Sequence, residues 1–213
     1  MKACIFDLDG VIVDTAKYHY LAWKRLAAEL GIDLTEEVNE RLKGVSRIES
    51  LNIILSMKGL ELSSSEKESL ADKKNKWFIE YIHTMTPEEI FPGVKELMKE
   101  IRSDKIKVGL ASSSKNAKAV LELLGIEKEF EVVVDGTMIE HTKPDPEIFL
   151  RAASALKTSP SDCIVIEDAE SGVEAAIRAG MKCVGIGSPR QLSKANLVVA
   201  KISDLTFEQL KQL

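Results

Sequence analysis

Apolar and polar positions change rhythm along the chain. A short apolar run at residues 2–6 predicts a strand, and Asp7, Leu8, Asp9 and Gly10 follow it before a second apolar stretch, Val11, Ile12 and Val13. From 15 to 86 no strand pattern appears, and apolar residues recur at helical spacing. Trp23, Leu26, Ala27 and Leu30 form one stripe; a second helix falls over 36–42; Ile48, Leu51 and Leu55 mark a third; Leu70, Trp77 and Tyr81 share a face of a fourth that begins near Ser65. From Phe91-Pro92-Gly93 onward the rhythm is strand, loop, helix, repeated. Helical stripes run through Val94, Leu97, Met98 and Ile101, then Ala117, Val120, Leu121 and Leu124, then Phe149, Ala152, Ala153 and Leu156, then Val173, Ala176, Ile177 and Gly180. The runs between them, at 108–111, 132–134, 163–166 and 183–186, are apolar on both faces, as suits strands of a parallel sheet covered by helices. With the first strand these predict five. Residues 206–213 close the chain as a short helix capped by Asp204 or Thr206. The expected fold is α/β: a parallel-sheet core of residues 1–14 and 87–213, interrupted by an all-helical insertion over 15–86.

Length and composition narrow the class. At 213 residues and 45% hydrophobic, the chain can bury one full core and a small second domain. The net charge of −5 and the absence of a basic run exclude a nucleic-acid backbone as partner. Cys4, Cys163 and Cys183 are odd in number and each lies in an apolar run, so all three read as reduced core thiols. No apolar run approaches the length that spans a bilayer. A soluble, cytoplasmic monomer with no membrane partner is expected.

In an open parallel sheet, ligands bind beyond the carboxyl ends of the strands, so the residues just past each strand describe the site. Asp7 and Asp9 come after the first; Ser112, Ser113, Ser114, Lys115 and Asn116 after the second; Lys143 and Pro144 lie near the third; Glu167 and Asp168 come after the fourth. Residues two apart in extended chain face one way, and side-by-side carboxylates need a cation or a shared proton. Carboxylates without a nearby His or Cys cluster favour a hard cation, magnesium where phosphate is handled, with Asp7, Asp168 and Glu167 as candidate ligands. Ser112 and the amides near Ser113 and Ser114 can donate to phosphate oxygens, and Lys143 sets a positive charge against the same group. Phosphoryl transfer needs positioning and charge compensation above all. Asp7 fits as the nucleophile that carries phosphate, and Asp9 as general acid and base. Singly, each motif has a plainer meaning: an acidic turn, a solvated helix cap, a surface lysine before a proline. Their occurrence at successive strand ends favours the chemical one.

Phe6-Asp7-Leu8-Asp9-Gly10-Val11, Ala111-Ser112-Ser113-Ser114, Lys143-Pro144-Asp145-Pro146 and Ile166-Glu167-Asp168 resemble, in order, the four motifs of the haloacid dehalogenase superfamily. Asp14-Thr15-Ala16-Lys17-Tyr18-His19, Trp23-Lys24, Leu42-Lys43-Gly44-Val45-Ser46-Arg47, Lys73-Lys74-Asn75 and Ser114-Lys115-Asn116 extend the resemblance to its beta-phosphoglucomutase family, almost continuously and through the insertion. The resemblance implies a Rossmann-like core with a helical cap domain, Mg2+ held by Asp7, Asp9, Glu167 and Asp168, and a catalytic set of Asp7, Asp9, Thr15 at the hinge, His19, Ser112 and Lys143. It implies substrate contacts from Trp23, Gly44, Val45, Ser46, Arg47, Lys74, Ser113, Ser114, Lys115 and Asn116, with Arg47, Ser114, Lys115 and Asn116 gripping the phosphate remote from Asp7. Beta-glucose 1-phosphate and glucose 6-phosphate would interconvert through the sugar 1,6-bisphosphate. Lys74 lies on the apolar face of its own helix, an unusual seat for a charge without a polar purpose. His19 reads either as a packed interface residue or as a contact for Lys74 or Asp9; His83 and His141 read as surface residues. Ala169 stands where the family commonly has serine, which puts one outer hydrogen bond in doubt, and residues 134–142 also diverge.

A mutase must keep water from the aspartyl phosphate, which a closing lid with a second phosphate grip serves. The alternatives are a magnesium-dependent sugar-phosphate phosphatase with the same core and a leakier lid, and a silent phosphosugar-binding module, against which the intact Asp7, Asp9, Lys143 and Asp168 argue.

Overall fold

A computed structural model describes residues 1–42 and 46–213, with the backbone alone at Glu40. It separates into two compact units, Met1–Asp14 with Thr86–Leu213, and Thr15–Met85. In chain order the elements are β1 (Ala3–Phe6), then α1 (Ala16–Glu29), α2 (Glu36–Glu40), α3 (Arg47–Ser56) and α4 (Ser64–Ile82) of the second unit. The first unit resumes with α5 (Val94–Ser103), β2 (Lys107–Ala111), α6 (Ala117–Leu123), β3 (Val132–Val134), α7 (Glu147–Ala155), β4 (Cys163–Glu167), α8 (Glu170–Arg178), β5 (Lys182–Ile186), β6 (Leu197–Val199) and α9 (Phe207–Gln212).

All strand pairs are parallel, in the order β3-β2-β1-β4-β5-β6. The chain builds outward from β1 to one side and then returns to build the other, so the order reverses between β1 and β4. At such a reversal the strand-end loops part and leave a crevice. β1 pairs on both sides, Ile5 lying opposite Gly109 and Val165, and its four residues are fully buried. Ala3 and Ile5 pack with Phe149 and Ala152 of α7 and Val173 and Ala176 of α8. Helix α5 packs on β2 and on α9, and none of its residues enters that cluster. Helices α7 and α8 thus cover one face of β1, and its four residues are buried throughout, as an unbroken apolar run in the middle of a parallel sheet requires.

The pattern predicts five strands, and among the described residues the sheet has six. Leu197–Val199 is a half-buried edge strand of three residues; unlike β3, which is equally short and at the other edge, it follows β5 with no helix between, so the strand-helix rhythm does not mark it, and Asn196 fixes its start by accepting the Cys183 N–H at 2.8 Å. Helix α2 ends at Glu40 rather than 42. Ile48 and Ile177, placed on apolar stripes, are exposed. Gly180 is no stripe member either: it lies past the end of α8 at φ +74°, where its N–H and that of Met181 return to the carbonyls of Ile177 and Ala176. That left-handed closure favours glycine. Thr206, not Asp204, caps α9, its hydroxyl accepting the Gln209 N–H. All three cysteines are buried free thiols.

In the second unit α1 packs along α4 and α3 on α4, burying Trp23, Leu26, Leu51, Ile54 and Phe78. Among the described residues no helix is long and apolar enough to cross a membrane. Ile5 tests the central core directly. Ile5→Ala should lower unfolding free energy by about 2–5 kcal/mol, the range for truncating a fully buried Ile. In urea denaturation the midpoint should fall while the slope stays unchanged.

Candidate active site

The site begins with the end of β1. Past Phe6 the Asp7 N–H still donates to the Ile166 carbonyl at 2.9 Å, so Asp7 is held in line with β4. The chain then turns hard: Gly10 N–H donates to Val13 O, and Ile12 N–H to Leu8 O, each at 2.9 Å. Gly10 sits at φ +76°, and a Cβ there would lie 1.9 Å from Asp168 Oδ2. Glycine is required twice over, by conformation and by the Asp168 carboxylate pressed against it.

Lys143 joins the strand ends. Its Nζ donates to Asp7 Oδ1 at 2.5 Å, Glu167 Oε1 at 2.6 Å and the Ala111 carbonyl at 3.4 Å, with the Phe149 ring beneath it. An ammonium has three donors, and here all three are placed. Burial alone would lower its proton affinity; Asp7 and Glu167 outweigh that and push it up, so Lys143 stays charged. Glu167 is 1% exposed, and its second oxygen accepts the Ala169 N–H at 2.8 Å. Ala169 begins α8 without a side-chain cap, so that bond from Glu167 serves the helix start where a hydroxyl is missing.

Four carboxylates, those of Asp7, Asp9, Glu167 and Asp168, therefore meet one ammonium. Asp7 is raised to about 7, first by burial and then, against the pull of Lys143, by Glu167 and Asp9. Asp168, on the solvent side, is raised to about 8 by the water that the protein displaces around it and by Glu167, Asp7 and Asp9. Burial is the largest cause of both shifts and the neighbouring carboxylates add to it, an excess of negative charge that a divalent cation would relieve. The donors are oxygens throughout, the set that suits a hard cation. Both Glu167 oxygens already accept internal donors.

The second strand end presents Ser112, buried, whose N–H continues the sheet to Val134 O at 3.0 Å. Ser112 Oγ accepts the Ser114 N–H and Ser114 Oγ the Asn116 N–H, both at 3.2 Å, folding the loop tightly. Gly136 backs it: a Cβ there would lie 2.2 Å from the Ser113 carbonyl. Ser113 and Lys115 are exposed, and Ser114 and Asn116 half-buried. His83 and His141 are exposed, and His141 sits beside Glu147, whose oxygens accept Arg151 and two backbone N–H groups.

A sequence model of haloacid dehalogenase-like hydrolases matches residues 1–180. The chain belongs to this family. It is 48% identical to the beta-phosphoglucomutase of Bacillus subtilis over 214 residues, covering 100% of this chain and 95% of that one. The crystal structure of beta-phosphoglucomutase from Clostridium difficile superposes with a TM-score of 0.93 at 45% identity, over 100% of this chain and 96% of that one. A phosphorylated carbohydrates phosphatase of Thermotoga maritima is 37% identical over 187 residues, 85% of this chain and 83% of its own.

The second unit of this family member carries its own polar cluster. Lys74, 2% exposed in α4, has its Nζ 2.6 Å from His19 Nδ1 and lies over the rings of Trp23, at 4.7 Å, and Phe78, at 5.1 Å. His19 stacks on Phe78 with centroids 4.0 Å apart. Of the two readings of His19, the contact with Lys74 is present. Arg47 Nη2 donates to Asn75 Oδ1 at 2.9 Å, and Nη1 lies 3.9 Å from Asp72. Ser46 caps α3, its hydroxyl accepting the Glu49 N–H at 3.2 Å. Thr15 opens the unit, its carbonyl accepting the N–H groups of Tyr18 and His19. Gly44 and Val45 lie outside the described residues. The Phe149 ring beside Lys143 and Gly136 behind the serine loop are contacts that spacing missed, whereas the turn at Gly10 left a sequence signal.

Burial, then repulsion from Arg47, lowers Lys74 from an ordinary 10.5 to about 7, and burial keeps His19 well below its usual value. Between pH 7 and 10.5 the unfolded chain holds a Lys74 proton that the folded chain lacks, so stability rises with pH across that window. Lys74→Met should raise the urea midpoint at pH 7 and flatten its climb towards pH 10 relative to wild type. An undiminished climb in the variant would place its source elsewhere.

Proposed function

We propose that this chain is a beta-phosphoglucomutase that interconverts beta-glucose 1-phosphate and glucose 6-phosphate through beta-glucose 1,6-bisphosphate. The observation that carries the reading is that 48% identity to the Bacillus subtilis mutase runs the whole length of the chain, through the helical unit as well as the sheet. Substrate choice within one chemistry is made by residues beyond the reacting centre.

Asp7 is the nucleophile. Its Oδ attacks phosphorus, the bond from phosphorus to the sugar oxygen breaks, and phosphate rests on Asp7 as an acyl phosphate. Asp9 donates a proton to the sugar oxygen that departs as the bisphosphate gives up its 1-phosphate and leaves as glucose 6-phosphate, and takes a proton from the 6-hydroxyl of a beta-glucose 1-phosphate as phosphate returns from Asp7 to remake the bisphosphate. Lys143, permanently charged, fixes the Asp7 carboxylate and faces the developing charge on the phosphoryl oxygens. The Ser112 hydroxyl and the amides of Ser113 and Ser114 hold those oxygens in place. Asp7, Asp9 and Asp168 would hold magnesium, with Glu167 adding negative charge behind them; when bound, the ion supplies positive charge against the transferring group.

Residues 15–86 serve as a cap that keeps water from the acyl phosphate. Arg47, oriented by Asn75, grips the remote phosphate with Ser114, Lys115 and Asn116, while Lys74, His19, Trp23 and the segment 44–46 contact the sugar and Thr15 takes the hinge. The resemblance to a Thermotoga maritima phosphatase favours the second reading, hydrolysis of a sugar phosphate by the same acyl phosphate when water gains access.

One assay separates the two. With magnesium, beta-glucose 1-phosphate and a trace of the 1,6-bisphosphate, glucose 6-phosphate should accumulate without free phosphate; stoichiometric phosphate release would establish the phosphatase instead. Asp7→Asn should lose roughly a thousandfold or more in turnover with its thermal melt intact, because the covalent path is removed. Asp9→Asn should lose about 10²–10⁴-fold, the range for a general acid and base.

A further inference from the structure

Gly172 lies in the third position of α8, buried, inside a helical turn where glycine is less favourable than alanine. Nothing in its backbone calls for glycine: its N–H closes the first turn on the Ala169 carbonyl at 3.1 Å, and its conformation is helical. Space does. A Cβ on Gly172 would lie 1.7 Å from Glu167 Oε1, 2.0 Å from Glu167 Cδ and 2.6 Å from Glu167 Cγ. The contact is with the middle of the Glu167 side chain as well as its tip, so rotation of the carboxylate alone could not relieve it.

We propose that Gly172 is a positioning residue for phosphoryl transfer: the missing Cβ is the seat of Glu167, and Glu167 so seated holds the Lys143 ammonium against Asp7. The inference rests on the roles proposed for Asp7 and Lys143. Glu167 is folded back over the first turn of α8, one oxygen on the Ala169 N–H and the other on Lys143. Filling the seat drives the carboxylate away from α8, and with it go the helix-start bond and one of the three acceptors of Lys143. The ammonium is then fixed by Asp7 and the Ala111 carbonyl alone. The nearest atoms to a Cβ at Gly172 are all of Glu167, so the effect of Gly172 runs through that side chain.

That dependence makes the test a cycle. Gly172→Ala is made in wild type, in Glu167→Ala, which empties the seat, and in Glu167→Gln, which keeps the size and removes the charge. In wild type, Gly172→Ala should lower kcat roughly 10–100-fold, the loss typical of a supporting hydrogen-bond partner, while KM for beta-glucose 1-phosphate stays within about twofold. In the Glu167→Ala background it should cost no further turnover and should raise the melting temperature, as alanine does in a helix with nothing above it. In the Glu167→Gln background the melting temperature should fall as it does in wild type. A Gly172→Ala enzyme that fails to fold while its Glu167→Ala partner folds would equally support the seat. Wild-type kcat in Gly172→Ala, or the same change in melting temperature in all three backgrounds, would overturn it. The melting temperatures are measured without substrate or magnesium, so they decide the inference even if wild type releases free phosphate or shows no mutase turnover.

Discussion

A single ammonium is bonded at once to the carboxylate just past β1, the carboxylate that ends β4 and the carbonyl that ends β2. Lys143 itself comes from the loop after β3, so its three bonds tie four strand ends together at the point where the strand order reverses. Burying a lysine or a carboxylate without counter-charge is costly. Here each makes the other tolerable, and the sheet supplies the rigid frame that keeps them in register. Were the strands to slip by one residue, Asp7 and Glu167 would point to the opposite face and the ammonium would be stranded.

The compensation is incomplete in its effect, because one cation cannot neutralise the carboxylates of Asp7, Asp9, Glu167 and Asp168. The raised proton affinities of Asp7 and Asp168 carry the effect of that excess in addition to the larger effect of burial. Such an excess destabilises the empty site and favours any cation that enters it, which is the usual exchange of stability for function in a catalytic centre. Close backbone approach sharpens the effect: a glycine at position 10 lets Asp168 press onto the turn after Asp9, and a glycine at 136 lets the third strand's loop press onto the serine loop. Side chains at either position would open the crevice and dilute the field.

Most of this fold was legible from periodicity, and the reasons for the exceptions are physical. Strands buried within the sheet announce themselves as unbroken apolar runs, so β1, β2, β4 and β5 stood out, and β3, partly exposed at one edge, still showed as three consecutive valines between two helices. The sixth, at the edge, is half-buried, and its register is set by Asn196 reaching Cys183, a tertiary bond with no local signature. In the helical unit the buried charge at Lys74 was visible as a break in an apolar stripe. Its partner His19 is 55 residues away and the Arg47–Asn75 bond spans 28, distances at which spacing carries no information. The carboxylates at the strand ends were legible because topology alone brings them together. That Glu167 turns inward to serve a lysine and a helix start, rather than outward with Asp168, depends on the room beside it and could not be read from its position after β4.

The two buried lysines define opposite electrostatic solutions to one problem. Lys143 has two carboxylates and keeps its proton; Lys74 has two aromatic rings, an imidazole nitrogen and a neighbouring guanidinium, and holds its proton weakly near neutrality. Aromatic faces attract a cation but contribute far less than a carboxylate, and Arg47 opposes it. A lysine so placed is a poor fixed charge and a good receiver: an anionic group brought against it would raise its proton affinity and be bound in proportion to that rise, by linkage. In a mutase the anion would be the phosphosugar itself, so the helical unit would be least comfortable empty and most stable with substrate in hand. On the proposed roles, the low proton affinity of Lys74 and the raised ones of Asp7 and Asp168 would act alike, each relieved by a charge that binding brings.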